Sequence, residues 1–417
     1  MNKLKVPQLR FPGFDGEWEL KKLGEISKKV NSGKTPLGGE SVYVNEGILF
    51  IRSQNVLESK LSFENSTFIT EKINNTMKNS IVEPNDILLN ITGASLGRSC
   101  VVPDNFTIGN VNQHVCIIRL NQENNPNFIQ PIFSSEKGQN IFNSLQTGSG
   151  REGLNFQSIR SISLRFPSLP EQQKIASFLS AVDEKIQQLS RKKELVEQYK
   201  KGVMQQLFSS TSSEQRSGKL RFKDDNGNDY PDWEEKKLGD LGTFKGGGTP
   251  STEISEYWDG DIPWISSSDL IENDISNINV SRFITEKAIS ESSTKLIPPN
   301  SVLFISRVGV GKLAVCKKTI CTSQDFANFI PNKIDSKYLA YYFIENKNLL
   351  INYAQGTSIK GFTSGDLKSI KVSYPVLEEQ QKIANFLSNI DVKIENTNQE
   401  IKQMQKFKKG LLQQMFV

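Results

Sequence analysis

Residues 169–186 read LPEQQKIASFLSAVDEKI, and residues 377–394 read LEEQQKIANFLSNIDVKI. Thirteen of the eighteen aligned positions are identical, at a constant offset of 208. The match resumes where YKKGVMQQLF (199–208) faces FKKGLLQQMF (407–416). Self-similarity of this length marks two copies of one structural unit. Outward from these helical stretches the repeat continues. WELKKLGEI (18–26) faces WEEKKLGDL (233–241), FITEK (68–72) faces FITEK (283–287), and PNDILL (84–89) faces PNSVLF (299–304), all at offset 215. TGSGREGLNF (147–156) corresponds to QGTSIKGFTS (355–364) at offset 208, so the second copy is shorter in between. LRF (9–11) and LRF (220–222) mark the two starts, giving units at roughly 9–208 and 220–416. A chain built twice suits a target with two halves.

Within each unit the first part carries short apolar runs broken by Gly, Pro and Asn. GILFI (47–51), DILLNI (86–91) and CIIRL (116–120) have the length and β-branched content of buried strands. The last part has a different period. Ile175, Val182, Leu189, Val196 and Val203 fall seven apart, with Leu179, Ile186, Lys193, Lys200 and Leu207 at the other heptad position. In the second copy Ile383, Ile390, Thr397, Met404 and Leu411 pair with Leu387, Ile394, Ile401, Lys408 and Met415. Such spacing predicts a coiled coil, with a long helix lying on a globular core as the alternative. Ser168 and Glu171 have the spacing of a capping box, which Val376 cannot match. The serine-rich stretch SSTSSEQRSGK (209–219) reads as a linker, and DDNGND (224–229) as a turn. The expected organisation is therefore an α+β chain. Mixed α/β parts occupy 1–168 and 230–376, long helices 169–208 and 377–417, and a linker 209–229.

With 23% charged and 36% hydrophobic residues and a net charge of +5, the composition is that of an ordinary soluble protein. That charge permits nucleic-acid binding without demonstrating it. The four cysteines have no metal-ligand spacing and read as free thiols in a reducing compartment. No apolar run is long enough for a membrane span, and MNKLKVPQLRF is no signal peptide. One histidine, His114, leaves no His-rich metal site and little room for a catalytic triad. SGKT (32–35) ends like a phosphate loop, but Lys28 stands where its first glycine belongs, and the other copy reads GGGTP. GGG (246–248) reads as backbone that must bend or approach something closely. Asp183, Glu184 and Lys185 sit on a helix without an upstream Pro-Asp partner. No constellation for chemistry emerges.

GGGTPSTEISEYWDGDIPWISSSDL (246–270), followed by EEQQKIANFLSNID near the end, resembles the specificity subunits of type I restriction-modification systems. LPEQQKIASFLSAVD and the WELKKLGEI opening carry the same resemblance, which runs over essentially the whole length. It implies two target-recognition domains and two antiparallel helices between them. Each domain would read one half of a bipartite duplex DNA site, and the helices would set the spacer. It also implies a non-catalytic chain in the bacterial cytoplasm, with no cofactor of its own. Its partners would be double-stranded DNA, two methyltransferase (M) subunits using S-adenosylmethionine, and motor-nuclease restriction (R) subunits using ATP and Mg. Base modification requires the target to leave the stack. A fused restriction-methylation enzyme and a non-reading coiled-coil scaffold are the competing classes.

The repeat separates scaffold from reader. Positions shared by both copies support the fold, and matched positions that differ in polarity are candidates to read different bases. GILFIRSQNV (47–56) faces DIPWISSSDL (261–270), so Arg52, Gln54 and Asn55 face Ser266, Ser268 and Asp269. Arg suits guanine O6 and N7, and Gln or Asn suits adenine N6 and N7. The Gly-rich stretches TGASLGR (92–98) and SRVGVGK (306–312) add Arg98, Arg307 and Lys312 as base or phosphate contacts. Asn112, Gln113 and His114 face a second-copy stretch that contains Gln324. Arg151 and Lys360 come from the matched segments TGSGREG and GTSIKG.

Overall fold

A computed structural model of the chain describes residues 5–146, 153–208, 220–352 and 361–417. The linker stretch 209–219, Arg151 and Lys360 lie outside the described residues. The chain forms two compact units, residues 1–190 with 399–417 and residues 191–398. Each unit therefore contains one globular part, the start of one long helix and the end of the other.

In the first unit the predicted strands form as Ile48–Ile51, Ile87–Asn90 and Val115–Leu120. An antiparallel sheet runs in the order Ser27–Ser32, Val115–Leu120, Ile87–Asn90, Ser99–Val101. All residues of Ile87–Asn90 are buried, which explains a continuous apolar run rather than an alternating one. A second, mixed sheet runs Phe68–Ile69, Ile48–Ile51, Gly109–Val111, Ile81–Val82, with Ile48–Ile51 and Gly109–Val111 parallel. The second unit repeats both sheets. One runs Gly242–Gly246, Phe326–Pro331, Val302–Ile305, Leu313–Val315, and the other Arg282–Ile284, Ile262–Ile265, Cys321–Thr322. The repeated WE-KKLG block lies on a two-stranded ribbon in each unit, Glu19–Lys22 with Ser163–Phe166 and Glu234–Lys237 with Lys371–Tyr374. Its tryptophans are buried edge-on against Phe128 and Tyr338, with centroids 5.7 and 6.1 Å apart.

The long helices are Leu169–Phe208 and Leu377–Met415. In the first unit Ile175, Leu179 and Val182 share one core with Leu411 and Met415 and with Phe128 and Phe166 of the globular part. In the second, Val203 and Leu207 share a core with Ile383, Leu387 and Ile390 and with Trp233 and Tyr338. In both units the start of one helix meets the end of the other, so they pack antiparallel. The coiled-coil reading and the helix-on-core reading both hold, each for part of the helix. The seam lysines find acids on the facing helix. Lys200 pairs with Asp391 and Lys408 with Asp183, each at 2.6 Å, and the two pairs are related by the repeat. Lys193 Nζ lies 3.4 Å from Asn398 Oδ1.

The EQQK motif explains its own repetition. Glu171, almost fully buried, accepts from Nε and Nη2 of Arg10 at 2.8 Å each. Glu379 does the same with Arg221 at 3.2 and 2.7 Å. A bidentate Arg satisfies a buried carboxylate that would otherwise be very costly. The capping box expected at Ser168 is thus replaced, because the Glu171 oxygens face the guanidinium instead. Gln172 and Gln380 accept from the backbone N–H of Asn125 and Asp335, the N-caps of the helices Pro126–Ser134 and Ser336–Glu345, at 3.0 and 2.8 Å. The expected 224–229 turn is present, closed by Asp224 N–H to Asn228 O at 2.9 Å with Gly227 at φ 85°. All four cysteines are free and buried.

Candidate nucleic-acid interface

In each unit the loops singled out from sequence come together at the same strand ends. Thr35 donates to Gln113 Oε1, and the Gln113 amide nitrogen lies 3.1 Å from His114 Nε2. His114 Nδ1 lies 2.6 Å from Thr92 Oγ1. The chain Thr35–Gln113–His114–Thr92 ties three loops into one surface. Asn90 extends it, donating to Ser53 O at 2.9 Å and Ser95 Oγ at 3.1 Å. Asn112 N–H reaches Ile51 O at 3.1 Å, which joins the Arg52 turn to the same edge.

The second unit is tied the same way. Thr249 donates to Gln324 Oε1. Ser323 N–H reaches Ile265 O at 2.9 Å, and Ser306 N–H reaches Asp325 O at 2.7 Å. Bridges Thr92–Gly153 and Arg307–Gly361 bring Gly153 and Gly361 to the matched loops. The close approach expected at GGG is real. A Cβ at Gly247 would stand 2.1 Å from Ser323 O, and one at Gly33 would stand 1.6 Å from Val111 O. Thus SGKT and GGGTP are one device, a glycine that lets the loop lie on the neighbouring strand end and a threonine that ties it down.

Not every candidate side chain is available to a ligand. Asn55 is 2% exposed, accepts from Arg52 N–H at 3.1 Å and donates to Ser62 O at 3.2 Å. Asp269 accepts from Ser266 N–H at 2.7 Å. Buried Asn112 accepts from His114 N–H at 3.0 Å. These three shape turns. Arg52 is half-buried, with its guanidinium 5.9 Å from the Tyr43 ring centre and 4.0 Å from Glu40. Gln54, Arg98, Gln113, Ser268, Arg307 and Gln324 are exposed, and His114, Ser266 and Lys312 are half-buried.

Sequence reasoning missed Arg282. Its guanidinium lies 4.6 Å from the Trp264 ring centre, donates to Ser266 Oγ at 2.7 Å and pairs with Asp269. The signal was present, since Arg282 directly precedes one FITEK block where Thr67 precedes the other.

A family model described as the type I restriction modification DNA specificity domain matches residues 15–198 and again residues 230–406. The chain belongs to this family. The two matched stretches coincide with the internal repeat, and membership makes it a specificity chain rather than an enzyme. A stretch of 191 residues is 39% identical to the type I restriction enzyme MjaIX specificity subunit of Methanocaldococcus jannaschii. That match spans 45% of this chain and 44% of that one, under half of the relative's length. The MjaVIII specificity subunit of the same organism is 27% identical over 431 residues, covering 99% of this chain and 93% of that one. The crystal structure of a type I restriction-modification S subunit from M. genitalium superposes with a TM-score of 0.62 at 16% identity, over 99% of each chain. At that identity the likeness shows the fold alone. No helix among the described residues is long and apolar enough to cross a membrane.

Proposed function

We propose that each unit lays its tied loops on duplex DNA and reads one half of a bipartite site. The observation that carries this reading is one loop framework with two sets of side chains. The same glycine, threonine and glutamine hold the framework in both units, while Arg52 faces Ser266, Gln54 faces Ser268 and His114 faces Asp325. A constant frame with changed polar groups is what two different half-sites require. Arg52, Gln54, Arg98, Gln113 and His114 are the reading or phosphate-holding groups of the first unit. Ser266, Ser268, Arg307, Lys312 and Gln324 are those of the second, with Arg151 and Lys360 on the adjoining segments.

The long helices set the spacer and dock the methyltransferase subunits. Tyr199 and Phe407, 56% and 50% exposed, occupy matched positions on the two helices. A repeated exposed aromatic supports two equal copies of one partner. S-adenosylmethionine belongs to that partner, and ATP with Mg to the restriction subunit. The complex works in the cytoplasm, where cellular DNA is reached.

The test is methylation mapping. The chain with its methyltransferase partner and S-adenosylmethionine is expected to modify adenines in a two-part motif, and the chain alone is expected to modify none. Replacing residues 230–375 with the matching domain of a relative should change one half-site only. Methyl transfer by the purified single chain, or a change in both half-sites, would overturn the reading.

A further inference from the structure

The two units place a guanidinium at the same turn from opposite strands. In the first unit Arg52 stands at the N-cap position of the turn Ser53–Asn55, with its guanidinium 5.9 Å from the Tyr43 ring centre. In the second, Ser266 caps the matched turn Ser267–Asp269 and is too short to fill that place. There the guanidinium arrives from the neighbouring strand. Arg282 sits directly across from Trp264 in the antiparallel pair, at the position where Thr67 lies beside Phe50 in the first unit.

We infer that Arg282 is a specificity-determining residue of the second unit, the counterpart in function of Arg52, and that it donates to the acceptor edge of a guanine. The inference rests on the reading that this unit contacts a half-site. The Arg282 side chain is 38% exposed, whereas its partner Asp269 is 13% exposed. Its Cζ lies over the Trp264 ring, 4.6 Å from the centre, and Nη2 is engaged by Ser266 and Asp269. Among the described residues, Nε and Nη1 make no hydrogen bond, so N–H groups of a fixed plane remain for a ligand.

Two physical consequences favour a base over a phosphate. A guanidinium held on three sides has little rotamer entropy left to lose on binding, and directional donation is where that matters most. The adjacent Asp269 carboxylate also cancels much of its attraction for a phosphate at a distance, leaving the short-range N–H geometry as its main property. Guanine presents O6 and N7 as paired acceptors in the major groove.

The test uses the full chain with its methyltransferase partner and a randomised duplex DNA library, with wild type, Arg282→Ala and Arg282→Lys compared. In both variants one position of the second unit's half-site is expected to lose its guanine preference by roughly 5- to 150-fold, with the other half-site unchanged. Arg282→Lys keeps the positive charge beside Asp269 but loses the planar fork, so its loss should come without a change in salt dependence. It also provides the result if Arg282→Ala does not fold. An unchanged motif would overturn the inference, as would a uniform loss over all sequences with a salt slope shallower by about one in the alanine variant. Failure of the underlying reading is recognised separately, because wild type would then select no two-part motif.

Discussion

Among the described residues, Val308 is the β-branched one whose backbone takes a positive φ. It sits at φ 45° in the loop that also carries Arg307 and Lys312, and its side chain is exposed. A β-branched residue in the left-handed region costs on the order of 1–2 kcal/mol, and nothing buried is gained in return. Val308→Gly is therefore expected to raise the stability of the second unit by about 0.5–1 kcal/mol, after the larger unfolded-state entropy of glycine is subtracted. Thermal unfolding checks the sign. A lower melting temperature would show that the valine side chain is held by contacts stronger than the strain. Burial acts at residue scale too, pushing the Cys100 and Cys116 thiols up to about 12 and keeping them protonated and inert near neutral pH.

At the scale of the elements, the helix seam carries two ion pairs that the repeat relates but the surroundings distinguish. Asp391 is 24% exposed and accepts from Tyr341 Oη at 2.6 Å as well as from Lys200, whose ammonium lies 5.2 Å from the Tyr341 ring centre. Asp183 is 41% exposed and pairs with Lys408. Removing Asp391 leaves a largely buried ammonium without its partner and leaves the buried Tyr341 phenol only Ser388 Oγ, at 3.4 Å. Removing Asp183 strands an ammonium almost as buried, 17% exposed against 12% for Lys200, but no phenol, and the space it leaves is more open to water. Asp391→Ala is expected to cost about 2 kcal/mol and Asp183→Ala about 1 kcal/mol. Urea unfolding of the two variants measures this difference, and equal losses would show that the seam pairing alone matters.

At the scale of the whole molecule, each start of the repeat is docked on the end of a long helix. Leu9 N–H donates to Gln414 O at 3.0 Å, as Leu220 N–H donates to Gln206 O at 3.1 Å. Arg10 and Arg221 then lock these segments to Glu171 and Glu379. The second junction is covalently continuous through 209–219, and the first is met only in space. A permuted chain that begins at Leu220 and joins Val417 to Val6 through a short serine-rich linker is expected to keep every one of these bonds. Its melting temperature should lie within a few degrees of the original, and its methylation motif with the partner should be unchanged. A molten or aggregated product would show that the covalent order matters beyond the docked contacts.

Much of this molecule is legible in its sequence because it is written twice. The two copies announce two units, the heptads announce the long helices, and the apolar runs announce Ile48–Ile51, Ile87–Asn90 and Val115–Leu120. Periodicity and repetition are local signals, and local signals survive without coordinates. The loops that meet at the candidate interface were also legible, as polar stretches differing between copies. What sequence left undecided was which side chains within those loops face outward. Asn55, Asp269 and Asn112 have the chemistry of base readers, yet their polar atoms close turns. Arg282 lies outside those loops, on the strand Arg282–Ile284, and reaches the turn only by cross-strand pairing with Trp264. Likewise Glu171 has cap spacing, but a guanidinium 161 positions away takes its carboxylate. The type of each hydrogen-bonding group is set by its residue, and the sequence alone determines that. Its partner is set by what packing brings within about 3 Å, and only the tertiary structure decides that.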